Sequence, residues 1–342
     1  MSSADSAWPS TGGDVRRRRA RSSTGRPAAS ANANAGRTYR GSARAQETLQ
    51  AALDAGVTMF DTADLYGHGE NEVLLGPFVR AHREQVFLAT KFGIVRQPGR
   101  PTWNQVRGDR TYVRQCADAS LKRLGIDTID LYYAHRRDPS VPLEETVGAM
   151  AELVQEGKVR HLGLCEVTGP ELRAAHAVHP ITALQSEWSL FSRDVETSAV
   201  PAAAELGVAF VAYSPLGRGL LTGALPDASE LSPGDARLTM PRFTGEDART
   251  NHALLGTVRA IAADHAATPA QIALAWLHQQ SRVHGLTVLP IPGSRRSARL
   301  RENTAATALT LSAAQLSALE PLAAQVAGTR YADMSTTATA RE

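Results

Sequence analysis

Seven short apolar runs alternating with helix-like stretches constrain this 342-residue chain more than any other feature. The runs are VTMFD (57–61), VFLATK (86–91), IDLYYAH (129–135), VRHLGLC (159–165), ITALQS (181–186), VAFVAYS (208–214) and LTVLPIP (286–292). Their length and β-branched, aliphatic content read as buried strands. Between them lie TYVRQCADASLKRLG, LEETVGAMAELVQEG, GPELRAAHAV and VETSAVPAAAELG. Each is long enough for a crossover helix, and several close on glycine, which tolerates the left-handed backbone of a helix end. Repeated βα units make a parallel sheet covered by helices. Seven runs, with one more expected near the start, predict a (β/α)8 TIM-type barrel. An open doubly wound sheet is the alternative. It would usually carry G-x-G-x-x-G after its first strand, and the chain has no such sequence.

Composition narrows the class further. Hydrophobic residues make up 43% of the chain, enough for one large core, and no apolar run approaches the roughly 18 residues of a membrane span. The two cysteines, Cys116 and Cys165, have neither metal nor redox spacing, which predicts a reducing, cytoplasmic setting without a disulfide framework. The formal charge of +3 conceals an asymmetry. Residues 1–45 hold nine arginines and two acids, net +7, which leaves −4 for the rest. The basic character therefore belongs to an Arg/Ser/Ala-rich segment without apolar periodicity, read as disordered or atypical. An organellar transit peptide or a mis-assigned start would also give such a composition. A basic arm of this kind gives no fold-level support for nucleic-acid binding, and no nucleic-acid or membrane partner is expected. The regular pattern occupies 46–328, with 329–342 as a C-terminal tail.

In a parallel barrel all strand C-termini meet at one face, where chemistry collects. In FDTADLYGHGENE (60–72), Asp61 closes an apolar run and Tyr66 follows in a Gly-rich turn. Lys91 closes the next run, His135 the third, Cys165 the fourth, with Glu166 after it; Gln185, Tyr213 and Ser214 end the next two. Lysine occurs only at 91, 122 and 158, so a strand-end lysine draws notice. Taken singly, each residue has an ordinary structural explanation: an aspartate cap, a packed surface tyrosine, a core histidine, a solvated lysine. Together they are chemically compatible. A tyrosine, with a reference pKa near ~10, is a poor proton donor at neutral pH unless a cation favours its phenolate. An aspartate would keep that cation charged, and a histidine could orient a substrate oxygen.

At these residues the chain resembles the aldo-keto reductase superfamily. GVTMFDTADLYGHGENEVLLG is similar to the family's first motif. LATKFG, IDLYYAHR, GKVRHLGLCEV, ALQSEWSLFSR, VAYSPLGRGLLTG and LPIPGSRRSARLREN are similar to the later ones, in order, over roughly Gln46 to Met334. The resemblance implies a (β/α)8 barrel that binds NADPH without a Rossmann motif, and a small-molecule carbonyl substrate reduced to an alcohol. It implies a catalytic tetrad of Asp61, Tyr66, Lys91 and His135. Gln185 would bind the nicotinamide carboxamide, beside Cys165 and Glu166. Tyr213 would stack on the nicotinamide ring, and Ser214, Leu216 and Gly217 would line the pyrophosphate. In GSRRSARLREN, Gly293, Ser294, Arg295 and Arg299 would hold the 2′-phosphate, with Glu302 and Asn303 at the adenine. Such a run is ordinarily a solvated basic helix; after a barrel's last strand it becomes a phosphate site. Two departures stand out. Nothing in residues 1–45 matches the family's opening hairpin and first strand, so the source of strand one is uncertain. Cys165 replaces the usual hydroxyl with a weaker donor. A non-catalytic, cofactor-binding regulatory protein is the alternative activity. Phe92, Trp103, Trp188 and the long stretch after Gly217 are candidates to line the pocket.

Overall fold

The structure, a computed structural model, describes residues 2–3, 43–95, 105–225 and 231–342. Of the candidates named above, Trp103 and most of the N-terminal segment lie outside the described residues. Eight strands form one parallel sheet in chain order: β1 Ser2–Ser3, β2 Met59–Asp61, β3 Phe87–Phe92, β4 Ile129–Ala134, β5 Val159–Cys165, β6 Ile181–Glu187, β7 Ala209–Tyr213 and β8 Val288–Pro290. Chain-order parallel pairing with a helix between successive strands is the architecture of the (β/α)8 barrel. All seven expected strands are present within a few residues of their predicted bounds. The eighth is a two-residue segment, Ser2–Ser3, in register with Phe60 and Asp61.

Helices α1 Ala43–Asp54, α2 Glu70–Ala81, α3 Arg110–Leu124, α4 Leu143–Gln155, α5 Gly169–Val178 and α6 Ala199–Leu206 each follow a strand. Between β7 and β8 the chain makes α7 Gly245–Ala253, α8 Leu255–Asp264 and the crossover helix α9 Pro269–His284; α10 Ser297–Ala305 follows β8. Local signals explain the boundaries. Thr168 and Thr268 each open a helix with a capping box, to Glu171 and Gln271, and a proline in the first turn. Gly125 and Gly285 close α3 and α9 with φ of 66° and 67°.

Strand alternation sorts side chains into two layers. Met59, Ala89, Leu131, Tyr133, Cys165, Ala183, Val211 and Tyr213 cluster inside the barrel. Phe92, Tyr132, Leu164, Phe210, Trp188 and Trp276 belong to the layer between sheet and helices. Phe92 stacks on Tyr132 at 4.9 Å, and Trp188 lies edge-on to Phe210 at 5.0 Å. Both expected pocket residues are thus core residues of the outer layer, with exposures of 1% and 0%. Inside the barrel, Gly163 on β5 makes room for Tyr133: a Cβ there would stand 2.4 Å from two ring carbons. We expect Gly163→Ala to lower stability by about 1–3 kcal/mol, the usual cost of overpacking, read as a lower urea midpoint at unchanged slope. An unchanged midpoint would show that the inner layer yields more easily than this packing implies.

Candidate active site

β2 and β3 are paired with Asp61 opposite Ala89, so Asp61 and Lys91 project from neighbouring strands at the C-terminal face. Both side chains are fully buried. The Lys91 ammonium pairs with Asp61 Oδ1 and also donates to the Thr62 carbonyl at 3.0 Å and to the Tyr66 hydroxyl at 3.4 Å. The other Asp61 oxygen accepts from Gln185 Nε2 at 2.9 Å, from across the barrel. Each carboxylate oxygen and most of the ammonium's hydrogens therefore have partners, which is what makes a buried ion pair tolerable.

Tyr66 opens the single turn Tyr66–Gly69, in which Gly67, His68 and Gly69 take left-handed φ of 58°, 55° and 86°. The turn is fastened from below. Asp64 N–H donates to the Lys91 carbonyl at 3.1 Å, and Thr62 Oγ1 to Asn71 Oδ1 at 2.8 Å. Glu72, at the start of α2, accepts from Thr90 Oγ1 at 2.7 Å and Arg123 Nε at 2.6 Å. Burial, then the neighbouring Glu72, pushes the Asp64 carboxyl up to about 7.

His135 stands one residue beyond β4, its N–H bonded to the Phe92 carbonyl at 2.8 Å. Its ring lies edge-on to Tyr66, centroids 6.1 Å apart. Burial, reinforced by Lys91 and Arg136, holds its pKa well below the usual histidine value. The imidazole is neutral at physiological pH and has one donor and one acceptor nitrogen. Nδ1 is buried and has no hydrogen-bond partner among the described residues.

The far side of the mouth is a charge network. Glu166, in left-handed backbone at φ 50°, accepts from the Tyr213 hydroxyl at 2.7 Å, Arg330 Nη1 at 3.1 Å and two backbone N–H groups, of Glu187 and Ala338. Burial alone would raise its pKa, but Arg330, Arg136 and these bonds lower it to about 2. Arg330, almost fully buried, also pairs with Asp194 at 2.9 Å, and Arg341 donates to the Glu166 carbonyl at 2.6 Å. Arg218 bonds Glu187 at 2.9 Å and the Tyr331 hydroxyl at 2.6 Å. Residues 330–341 thus return to the mouth. Their role, and that of Arg136 and Arg218, has no signal in local sequence pattern beyond an arginine count. Cys165 is buried and faces the barrel interior, its thiol pushed up by burial.

The remaining candidates form two groups. Tyr213, Ser214 (φ 48°), Leu216 and Gly217 (φ 54°) follow one another at the end of β7. Gly293, Ser294 and Arg295 precede α10; Arg299, Glu302 and Asn303 lie on it. Ser294 Oγ accepts from the Arg296 N–H at 3.1 Å, and no side chain caps the helix. Arg299 bonds Glu302 at 2.6 Å, and Glu302 also accepts from Thr268 Oγ1 at 2.8 Å. An uncapped helix N-terminus flanked by exposed arginines has the donor chemistry of a phosphate site. A tyrosine ring held by its hydroxyl at the mouth has the shape for a flat heterocycle. The residues present therefore fit a nicotinamide dinucleotide cofactor.

A sequence model of the Aldo/keto reductase family matches residues 31–324. Among solved structures, the chain is similar to the glycerol dehydrogenase AKR11B4 from Gluconobacter oxydans, at 25% identity and a TM-score of 0.75, covering 84% of this chain and 88% of that one. It is also similar to a thermostable aldo-keto reductase, Tm1743, solved with the inhibitor epalrestat, at 31% identity and a TM-score of 0.64, covering 82% of this chain and 89% of that one.

The Glu166 geometry generates a stability prediction. Its folded pKa is depressed, so its contribution is present above its ordinary value of 4.5 and is lost as pH falls from there toward about 2. Glu166→Gln leaves buried Arg330 without one of its two close counter-charges, the other being Asp194. At neutral pH it should cost about 3–5 kcal/mol, and it should flatten the stability profile below pH ~4.5. Denaturant titrations across pH check both; a parent-like profile in the variant would remove Glu166 from this role.

Proposed function

This chain belongs to the aldo-keto reductase family, and from that premise we propose that it uses NADPH to reduce aldehydes or ketones, with Tyr66 as proton donor. Family membership and the two oxidoreductase neighbours make it an NAD(P)H-dependent oxidoreductase of small carbonyl compounds. The observation that carries the finer reading is the Lys91 ammonium, held by Asp61 and 3.4 Å from the Tyr66 hydroxyl, with a neutral histidine edge-on to the same ring.

The nicotinamide, when bound, supplies the hydride. The chain's own residues handle the substrate oxygen. Tyr66 gives it a proton, and the adjacent ammonium makes the phenol a better donor by stabilising the anion left behind. Asp61, itself oriented by Gln185, keeps the lysine charged. His135, being neutral, holds the oxygen with its one N–H without competing for the negative charge. A buried site strengthens each of these interactions.

For the cofactor, Tyr213 would lie under the ring, fixed at its hydroxyl by Glu166. Gln185 gives one N–H to Asp61, and its amide oxygen would meet the carboxamide; Cys165 is a weak donor next to it. Ser214, Leu216 and Gly217 would follow the pyrophosphate. Gly293, Ser294, Arg295 and Arg299 would take the 2′-phosphate, with Glu302 and Asn303 at the adenine. Arg299 exchanges its bond to Glu302 for the phosphate in this reading. We assign the chemistry to residues 46–328. Two free cysteines fit a reducing, cytoplasmic setting, and no described helix is long and apolar enough to cross a membrane.

Tyr66→Phe should lower reduction of a simple aldehyde by about two to four decades while NADPH binding, followed by fluorescence, stays within a few fold. Turnover at the parent rate would leave Tyr66 as a loop residue only. Arg299→Ala should weaken NADPH binding by about 10- to 100-fold, the scale of a charge-assisted contact, and leave NADH binding close to the parent's. Equal effects on both cofactors would move the 2′-phosphate site elsewhere.

A further inference from the structure

The arginines around the barrel mouth differ in one respect. Arg218 pairs with Glu187, Arg330 with Glu166 and Asp194, and Arg137 and Arg341 with Glu171. Each pairs directly with a carboxylate that the fold itself brings to the face. Arg136 makes no such direct pair among the described residues, although its charge helps to lower the Glu166 pKa. Among the described residues its one hydrogen bond is from Nη1 to the carbonyl of His135, 2.8 Å away, and its guanidinium carbon stands 5.9 Å from the centre of the Tyr213 ring. Among the described residues no carboxylate pairs with it.

Arg136 is also partly buried. Burial works against its charge, but Tyr213, Tyr331 and Glu166 together raise its pKa, so it is a cation at every relevant pH. A guanidinium has five N–H donors in a planar fork, and the described residues use one. The placement gives the rest a purpose. Arg136 is the next residue after His135, whose ring faces Tyr66, and its head reaches toward Tyr213. It therefore lies beside the groups that, on the reading above, hold the carbonyl oxygen and the nicotinamide. The phosphate-type donors are elsewhere, at the start of α10. A half-buried cation that makes no direct ion pair among the described residues, with Glu166 acting on it only at longer range, offers a ligand carboxylate a direct partner at the mouth of the candidate site.

We propose that Arg136 selects carbonyl substrates that carry a carboxylate, so that this enzyme's preferred substrates are small oxo acids. A carboxylate matches the guanidinium fork in shape and its single charge in magnitude. A phosphate monoester brings more negative charge to a face already carrying Glu166 and Glu187, and fits less well. The inference rests on the roles given to Tyr66 and His135 in the proposed function.

The test uses the full chain with NADPH and compares kcat/KM for 4-oxobutanoate with that for butanal. The parent should favour the oxo acid. Arg136→Met should lower the acid-to-neutral ratio by about 10- to 100-fold, mostly through KM, and Arg136→Lys should recover part of it. In parallel, calorimetry of the NADP-saturated protein with succinate should show binding that Arg136→Met weakens by a similar factor. No preference in the parent, or an unchanged ratio in Arg136→Met, overturns the proposal. So does an equal loss on both substrates accompanied by weaker NADPH binding, which would make Arg136 a cofactor residue. Glyceraldehyde 3-phosphate preferred over 4-oxobutanoate would overturn the choice of carboxylate. If the parent reduces neither aldehyde but binds succinate through Arg136, the carboxylate site stands and the reductase reading fails; if it reduces both alike and binds no succinate, the reverse holds.

Discussion

The buried pair of Asp61 and Lys91 is the constraint on which the rest of the site depends. Bringing two ions out of water costs several kcal/mol for each, and their attraction offsets this only when the remaining donors and acceptors are also satisfied. Here the satisfaction comes from three directions: the Thr62 carbonyl in the same loop, the Tyr66 hydroxyl above it, and Gln185 from β6, 124 residues along the chain. The placement of β6 against β2, loop geometry and ion-pair geometry are thereby coupled. A shift of β6 against β2 would strip Asp61 of a donor, and a change in the Tyr66 turn would strip the ammonium of an acceptor. An apolar pair of similar size would pack in the same space, but it would leave the tyrosine with no cation beside it.

Around this pair the mouth divides by charge. On one side a neutral imidazole and a phenol meet edge-on; on the other, Glu166 gathers Tyr213, Arg330 and two backbone N–H groups. Glu166 has left-handed backbone at φ 50°, and its carboxylate meets Tyr213 of β7 and Arg330 of the returning chain. Tyr213 is consequently held at its oxygen rather than by packing alone. That is the more rigid way to present an aromatic face at the edge of a cavity.

Strand positions and the four central site residues were legible because each depends on short-range pattern: apolar runs ended by a polar residue, at a face that topology makes common. The same logic, followed one step further, places Phe92 outside the barrel, since Lys91 points inward and neighbours alternate. Trp188 has no such parity rule, because it lies just past the end of β6. Arg136, Arg218 and Arg330 were illegible for a different reason. Nothing within ten residues of Arg330 distinguishes it from any surface arginine; its partner is 164 positions away. β1 was illegible as well. Two serines carry no alternation, and their membership in the sheet rests on backbone pairing with Phe60 and Asp61.

The return of residues 330–341 to Glu166 has a consequence for how the molecule is made. Translation delivers Glu166 long before Arg330; at ~5–20 residues per second the interval is on the order of ten seconds or more. During that time β5 and β6 can pair and Tyr213 and the Glu187 N–H can reach Glu166, but water must stand in for Arg330 and the Ala338 N–H. The nascent chain therefore has a natural waiting state, with strands assembled and the rim still hydrated. The stretch that emerges so much later then acts as the latch that dries it.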